Sequence, residues 1–207
     1  MQIFDAAATR TPLGFDRLVP ALKAAFAADT IVPPRHVHQV QVGADAGTVL
    51  IMPAWSEAGF MGIKTVNIWP GNSARGLPGL HASYLLYDAR TGVPLALMAG
   101  DEITARRTPA AAALGASFLA RTDARRLLVL GTGRVARLLP AAMRHVRPGI
   151  DEVMVWNHRP EGARSLAAHW RAEGLNAQAG GDLQAAGRRA DSVSCAALST
   201  APPGRGG

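Results

Sequence analysis

Leu127-Leu128-Val129-Leu130-Gly131-Thr132-Gly133-Arg134-Val135-Ala136 is the stretch on which the fold turns. A short apolar run ends in two glycines and passes directly into a segment with helical spacing. That is the strand, turn and helix that open a parallel α/β unit, and the Gly-x-Gly-x-x-small turn is the dinucleotide-binding form of it. Gly131 permits the tight turn and Gly133 lets the backbone approach a pyrophosphate. Ala136 is small enough for helix and strand to pack closely. The helix N-terminus then presents its backbone N–H groups to the phosphate charge.

Downstream, strands are expected at Glu152–Trp156 and Ser192–Ala196, with helices between them, so that the parallel sheet has three strands. Cys195, in the last of these, reads as a small core residue. The second strand ends Asn157-His158-Arg159. A site built for NAD usually places a carboxylate there to hold the ribose 2′-hydroxyl. A polar and basic end suits a 2′-phosphate, which Arg159 pairs by charge-assisted hydrogen bonds, so NADPH is favoured over NADH.

Upstream the rhythm differs. Leu18, Val19, Leu22, Ala25 and Phe26 recur at helical spacing and predict a helix over 15–29 with Pro20 in its first turn. Short alternating or β-branched runs follow at His36–Val42, Thr48–Met52, Met61–Ile68, Ser83–Tyr87 and Pro94–Met98. Turns at Gly43-Ala44-Asp45, Gly71-Asn72 and Asp88-Ala89-Arg90-Thr91-Gly92 separate them. Strands this close, with no helices between, make a mostly antiparallel sheet. An Ala-rich helix over Asp101–Ala120 joins the two parts. The chain is therefore expected to be an α/β protein, an antiparallel-rich β domain over 1–120 followed by an incomplete parallel α/β (Rossmann) domain over 121–207.

Composition narrows the function classes. With 48% hydrophobic and 18% charged residues in 207, the chain folds rather than staying disordered. The net charge of +7 comes from arginines scattered over the second half, without basic runs or interleaved aromatics, which argues against a nucleic-acid partner. The uncharged stretches are too short to span a bilayer, which argues against a membrane partner. An early Asp5 and Arg10, with Cys195 the single cysteine, fit a cytoplasmic location.

Few residues outside the glycine turn invite chemistry. Lys64 alternates onto the strand face that carries Gly62, Val66 and Ile68. There it is either a proton donor or anion anchor beside a ligand, or an edge-strand lysine that reaches water. Arg107-Thr108, read as the start of the connecting helix with Pro109 near its first turn, can grip a carboxylate or phosphate. Pro33-Pro34-Arg35 presents another arginine rigidly. His36 and His38 share a strand face but lack a third ligand, so no metal is expected. The motifs HExxH, CxxC, GxSxG and the P-loop are all missing from the sequence.

Pro34-Arg35, Met52-Pro53-Ala54, Gly62-Ile63-Lys64, Pro70-Gly71-Asn72, Gly76-Leu77-Pro78, Thr91-Gly92-Val93-Pro94, Ile103 to Thr108 and Leu130 to Gly133 together resemble, in order and spacing, the ornithine cyclodeaminase/mu-crystallin family. The resemblance implies a substrate-binding and homodimer-forming β domain joined to a Rossmann domain. It implies reduction of a cyclic imino acid such as Δ1-pyrroline-2-carboxylate. Its alternatives are ornithine cyclodeamination with NAD and a non-catalytic ligand-binding role like that of mu-crystallin. By the resemblance Arg35, Lys64 and Arg107 hold the carboxylate of a small amino or imino acid, with Lys64 also near the reacting carbon–nitrogen bond. Thr108, Gly131, Thr132, Gly133, Arg134 and Val135 would carry the dinucleotide phosphates, Asn157, His158 and Arg159 the adenosine ribose, and Leu198 the nicotinamide side.

Two departures from the family stand out. Pro109 replaces an alanine in an RTAA-like run. After Ser199-Thr200 the chain finishes Ala201-Pro202-Pro203-Gly204-Arg205-Gly206-Gly207 where the family continues into further strands. It therefore reads as C-terminally truncated, without the family's acid/base aspartate, and with a sheet edge left open.

Overall fold

The computed structural model describes residues 1–196. Its elements, in chain order, begin with β1 (Gln2–Phe4), α1 (Ala6–Arg10), α2 (Phe15–Ala27), β2 (Thr30–Ile31), β3 (His36–Val42), β4 (Asp45–Ser56) and β5 (Phe60–Ile68). A 3-10 helix (Pro70–Arg75), β6 (Leu80–Asp88), β7 (Pro94–Ala99) and α3 (Gly100–Leu119) follow. Then come β8 (Arg126–Leu130), α4 (Arg134–Val146), β9 (Glu152–Trp156), α5 (Pro160–Ala172), β10 (Asn176–Ala179), α6 (Leu183–Arg189) and β11 (Ser192–Cys195). The chain forms two compact units, Met1–Thr104 and Ala105–Gly207. That division passes through α3, whereas the sequence reading put the boundary after it, at residue 120.

The first unit is a seven-stranded sheet in the order β1-β7-β6-β5-β4-β2, with β3 also paired to β4. Every pairing is antiparallel except that of β1 with β7. β2 and β3 lie successively along the same edge of β4. Val32-Pro33-Pro34-Arg35 interrupts them, because two prolines cannot donate to a ladder. The hairpin turns follow their residues: Gly43 and Gly92 take φ of +58° and +73°. The Asp88 carboxylate accepts the N–H groups of Arg90 and Thr91 at 2.8 and 2.9 Å. These bonds hold its pKa below the usual carboxylate range. Arg10 of α1 donates to both oxygens of the buried Glu102 at 3.0 and 3.2 Å, fastening α1 to the first turn of α3.

The second unit is a parallel sheet in the order β10-β9-β8-β11. In chain order that is 3-2-1-4, the opening half of a doubly wound sheet. Leu127, Leu128 and Val129 are 0, 1 and 0% exposed, as expected of a central parallel strand covered on both faces. The fully buried Trp170 donates from its indole to the Arg137 carbonyl at 3.0 Å, joining α5 to α4. Arg147 donates to the carbonyls of Ser117 and Ala120 at 2.9 and 2.8 Å and so satisfies the C-terminal end of α3.

Several sequence expectations need correction. The parallel sheet has four described strands, not three, because β10 was missed. Cys195 lies in β11 as expected but is exposed, and period-two alternation buries Ser194 instead. Pro20 lies inside α2 rather than in its first turn, since the helix starts at Phe15. Arg107-Thr108 does not begin α3, which starts at Gly100 and places the pair about two turns in. Pro109 is accordingly an interior helix proline, fully buried, where its ring fills space that compensates for the lost backbone bond. Among the described residues no helix is long and apolar enough to cross a membrane.

Candidate functional site

In the first unit the strand registers align one residue from each of β1, β7, β6, β5 and β4 into a continuous row. Phe4 opposes Met98, Met98 opposes Tyr84, Tyr84 opposes Lys64, and Lys64 opposes Met52. Directly opposed residues share a face with Cβ atoms about 5 Å apart, so these five side chains lie side by side. The same face carries Gly62 and Val66, both buried. Lys64 thus belongs to a strand flanked by β4 and β6, and the edge-strand reading of it is excluded. Arg35 is exposed and immediately precedes β3, one position beyond the ladder step that pairs His36 with Ile51. His36 and His38 are exposed on that same outer strand with ring centres 6.4 Å apart.

Tyr84 is a functional candidate that the sequence reading passed over. Its ring crosses to Gly62, where any Cβ would collide with the phenol hydroxyl. Glycine at 62 is therefore a condition for this position of the tyrosine. Like any phenol Tyr84 carries its proton at neutral pH, and burial pushes its pKa further above the usual value.

In the second unit Gly131 adopts φ +105°, which side-chain-bearing residues rarely take. Its N–H donates to the Trp156 carbonyl at 2.9 Å, fixing the turn to the end of β9. Gly133 is the N-cap of α4, with no side-chain cap and no acid in the first helical turn. A Cβ at Gly133 would meet nothing within 4 Å, so the surface over it is open. Uncapped N–H groups under open space, with an arginine at the first helical position, fit the pyrophosphate of a dinucleotide. Ala136 is 0% exposed, which is the close helix–strand packing its size permits.

The end of β9 meets this turn. A Cβ at Gly162, in the first turn of α5, would lie 3.1 Å from Thr132 Oγ1 and 3.2 Å from Asn157 Nδ2. Thr132 and Asn157, assigned from sequence to phosphate and ribose, are therefore neighbours around Gly162. A glycine just after the second strand of such a unit is the signal that would have found it. Asn157 Nδ2 also donates to the Arg159 carbonyl at 3.2 Å. Trp156 and His158 make an edge-on ring contact at 4.7 Å, and His158 and Arg159 are exposed. Arg134 is exposed and Val135 half-buried at the start of α4, while on α3 Arg107 is exposed and Thr108 half-buried. Leu198 lies outside the described residues.

The chain is 40% identical over 198 residues to an uncharacterized protein of Schizosaccharomyces pombe, covering 92% of this chain and 60% of that protein. It is 37% identical over 171 residues to a Δ1-pyrroline-2-carboxylate reductase of Paracoccus denitrificans, covering 83% of this chain and 54% of the reductase. Its structure matches that of the Thermococcus litoralis Δ1-pyrroline-2-carboxylate reductase in complex with NADH and L-proline at a TM-score of 0.85 and 28% identity, covering 94% of this chain and 61% of that one. The chain thus spans little more than half the length of these relatives. The family model of the ornithine cyclodeaminases and mu-crystallins matches residues 4–203. With the glycine turn and the lysine row both in place, the chain belongs to the ornithine cyclodeaminase/mu-crystallin family.

Proposed function

We propose that the protein takes part in reduction of a cyclic imino acid of the Δ1-pyrroline-2-carboxylate kind to the amino acid, with a nicotinamide dinucleotide as reductant. The observation that carries the reading is Lys64, the one charged residue in the row Phe4, Met98, Tyr84, Lys64 and Met52 and set on an interior strand, in a chain that also holds the glycine turn. A planar imino acid is an anion with an apolar ring, and a cation on an apolar surface complements both. Lys64 anchors the carboxylate and stands by the C=N bond, with Arg35 and Arg107 as further carboxylate partners. Thr108, Gly131, Thr132, Gly133, Arg134 and Val135 hold the phosphates. Asn157, His158 and Arg159 hold the ribose. When bound, the dinucleotide supplies the hydride. The protein's own contribution is orientation and fixed positive charge where the anion sits.

The ribose end Asn157-His158-Arg159 bears no carboxylate, and it supports NADPH over NADH. The proposed working form is a homodimer in the cytoplasm. The test is consumption of NADPH by the purified chain with Δ1-pyrroline-2-carboxylate, beside fluorescence titrations with NADPH and NADH. Turnover with tighter NADPH binding is expected. Ammonia release from ornithine without added reductant would replace this reading with cyclodeamination, and dinucleotide binding without turnover would replace it with a ligand-binding role.

A further inference from the structure

We propose that Tyr84 is a specificity-determining residue of the same site: its phenol hydroxyl donates a hydrogen bond to the carboxylate that Lys64 anchors, and its ring forms a flat wall beside the substrate's ring. The inference rests on the imino-acid reading and adds to it a residue that reading does not contain.

Three observations lead to it. Along the row Phe4, Met98, Tyr84, Lys64 and Met52, the polar tips are the ammonium and the phenol, and they belong to directly opposed residues. A cation and a neutral donor side by side, bounded by a phenyl ring and thioethers, make a surface for a small anion with an apolar body. Second, Gly62 leaves the space over which the ring lies, so the strand backbone admits the hydroxyl to a position that any side chain at 62 would block. Third, among the described residues the Tyr84 hydroxyl has no hydrogen-bond partner, although burial is what acts on it most. A phenol is protonated at neutral pH, and burial favours that form further, so the group donates to an anion.

Tyr84→Phe keeps the ring and removes only the donor, which separates binding from packing. The probe is pyrrole-2-carboxylate, a planar five-membered-ring anion, titrated calorimetrically into the purified chain, Tyr84→Phe and Lys64→Gln, with thermal unfolding measured on each. Loss of one hydrogen bond to a charged acceptor predicts affinity about tenfold weaker or more for Tyr84→Phe, with unfolding temperature unchanged. Gly62→Ala, which displaces the hydroxyl, is expected to weaken binding in the same direction. If Lys64→Gln loses binding while Tyr84→Phe stays within about twofold of the parent, the role given to Tyr84 is wrong and the site reading stands. If the parent does not bind the anion, or Lys64→Gln binds it as well as the parent, the imino-acid site itself is refuted and the role of Tyr84 with it.

Discussion

Replacing Gly162 by alanine separates folding from cofactor binding within a single methyl group. Gly162 lies in the first turn of α5 and its φ is not positive, so alanine is acceptable to the backbone. Helix propensity alone then favours the variant by about 1 kcal/mol. The added Cβ would sit 3.1 Å from Thr132 Oγ1 and 3.2 Å from Asn157 Nδ2. Both distances are shorter than the ordinary contact of about 3.5–4.0 Å between carbon atoms, so each side chain must retreat by a few tenths of an ångström. Both are tips of short side chains and can move, which limits the cost to stability. The net expectation in urea denaturation is a change within about 1 kcal/mol of zero. Both moved groups are proposed contacts to the dinucleotide, however, and a neutral hydrogen bond contributes about 0.5–1.5 kcal/mol. Nicotinamide fluorescence titration should therefore show binding roughly five- to tenfold weaker. An unchanged dissociation constant would refute the assignment of Thr132 and Asn157, and destabilisation beyond about 2 kcal/mol would refute the packing argument.

Two further predictions concern the second unit. Leu127→Ala opens a cavity on a strand that is covered on both faces, and should cost about 2–5 kcal/mol in urea denaturation. A loss below about 1 kcal/mol would mean that β8 is not the centre of the core. The carboxylate of Asp191 accepts from the Arg126 guanidinium and from the backbone N–H groups of Arg125 and Arg126, which hold it well below the usual carboxylate range. The unfolded chain therefore protonates first as pH falls, and the stability it contributes is present at neutral pH and lost in acid, between about pH 5 and 2. Asp191→Asn should lower the unfolding temperature at pH 7 and flatten its decline toward pH 3; an unaltered decline would show that other carboxylates govern it.

How much of this could be read from the residues depended on whether the signal was local. The glycine turn, Ala136 and the end of β9 are local: each residue has its meaning from immediate neighbours in the chain, and the structure places strand, turn and helix where they were expected. β10 is not local. Asn176-Ala177-Gln178-Ala179 has no β-branched or aromatic residue, only Ala177 is buried, and the strand exists because β9 offers a parallel edge to pair with. The prolines failed for a related reason. Pro20 and Pro109 interrupt isolated helices, but tertiary packing outweighs one lost hydrogen bond and one clash, and Pro109 is buried within the helix it was expected to begin.

Lys64 shows where the two kinds of information meet. Alternation along Met61 to Ile68 correctly predicts which face the lysine shares with Gly62 and Val66, because period two is a property of the strand itself. Whether that strand is an edge or an interior one depends on partners at Thr48–Trp55 and Leu80–Asp88, and nothing within β5 encodes them. The distinction is chemical as well as topological. An edge lysine leans into water and is spent on solubility, whereas an interior one has a defined neighbour on each side, here Met52 and Tyr84. Register therefore turns a lysine of ambiguous purpose into half of a pair, and only the pair offers charge and directional hydrogen bonding together. Glycine at 62 was readable as a residue type and not as a cause, since its reason is a tyrosine more than twenty residues away in the sequence.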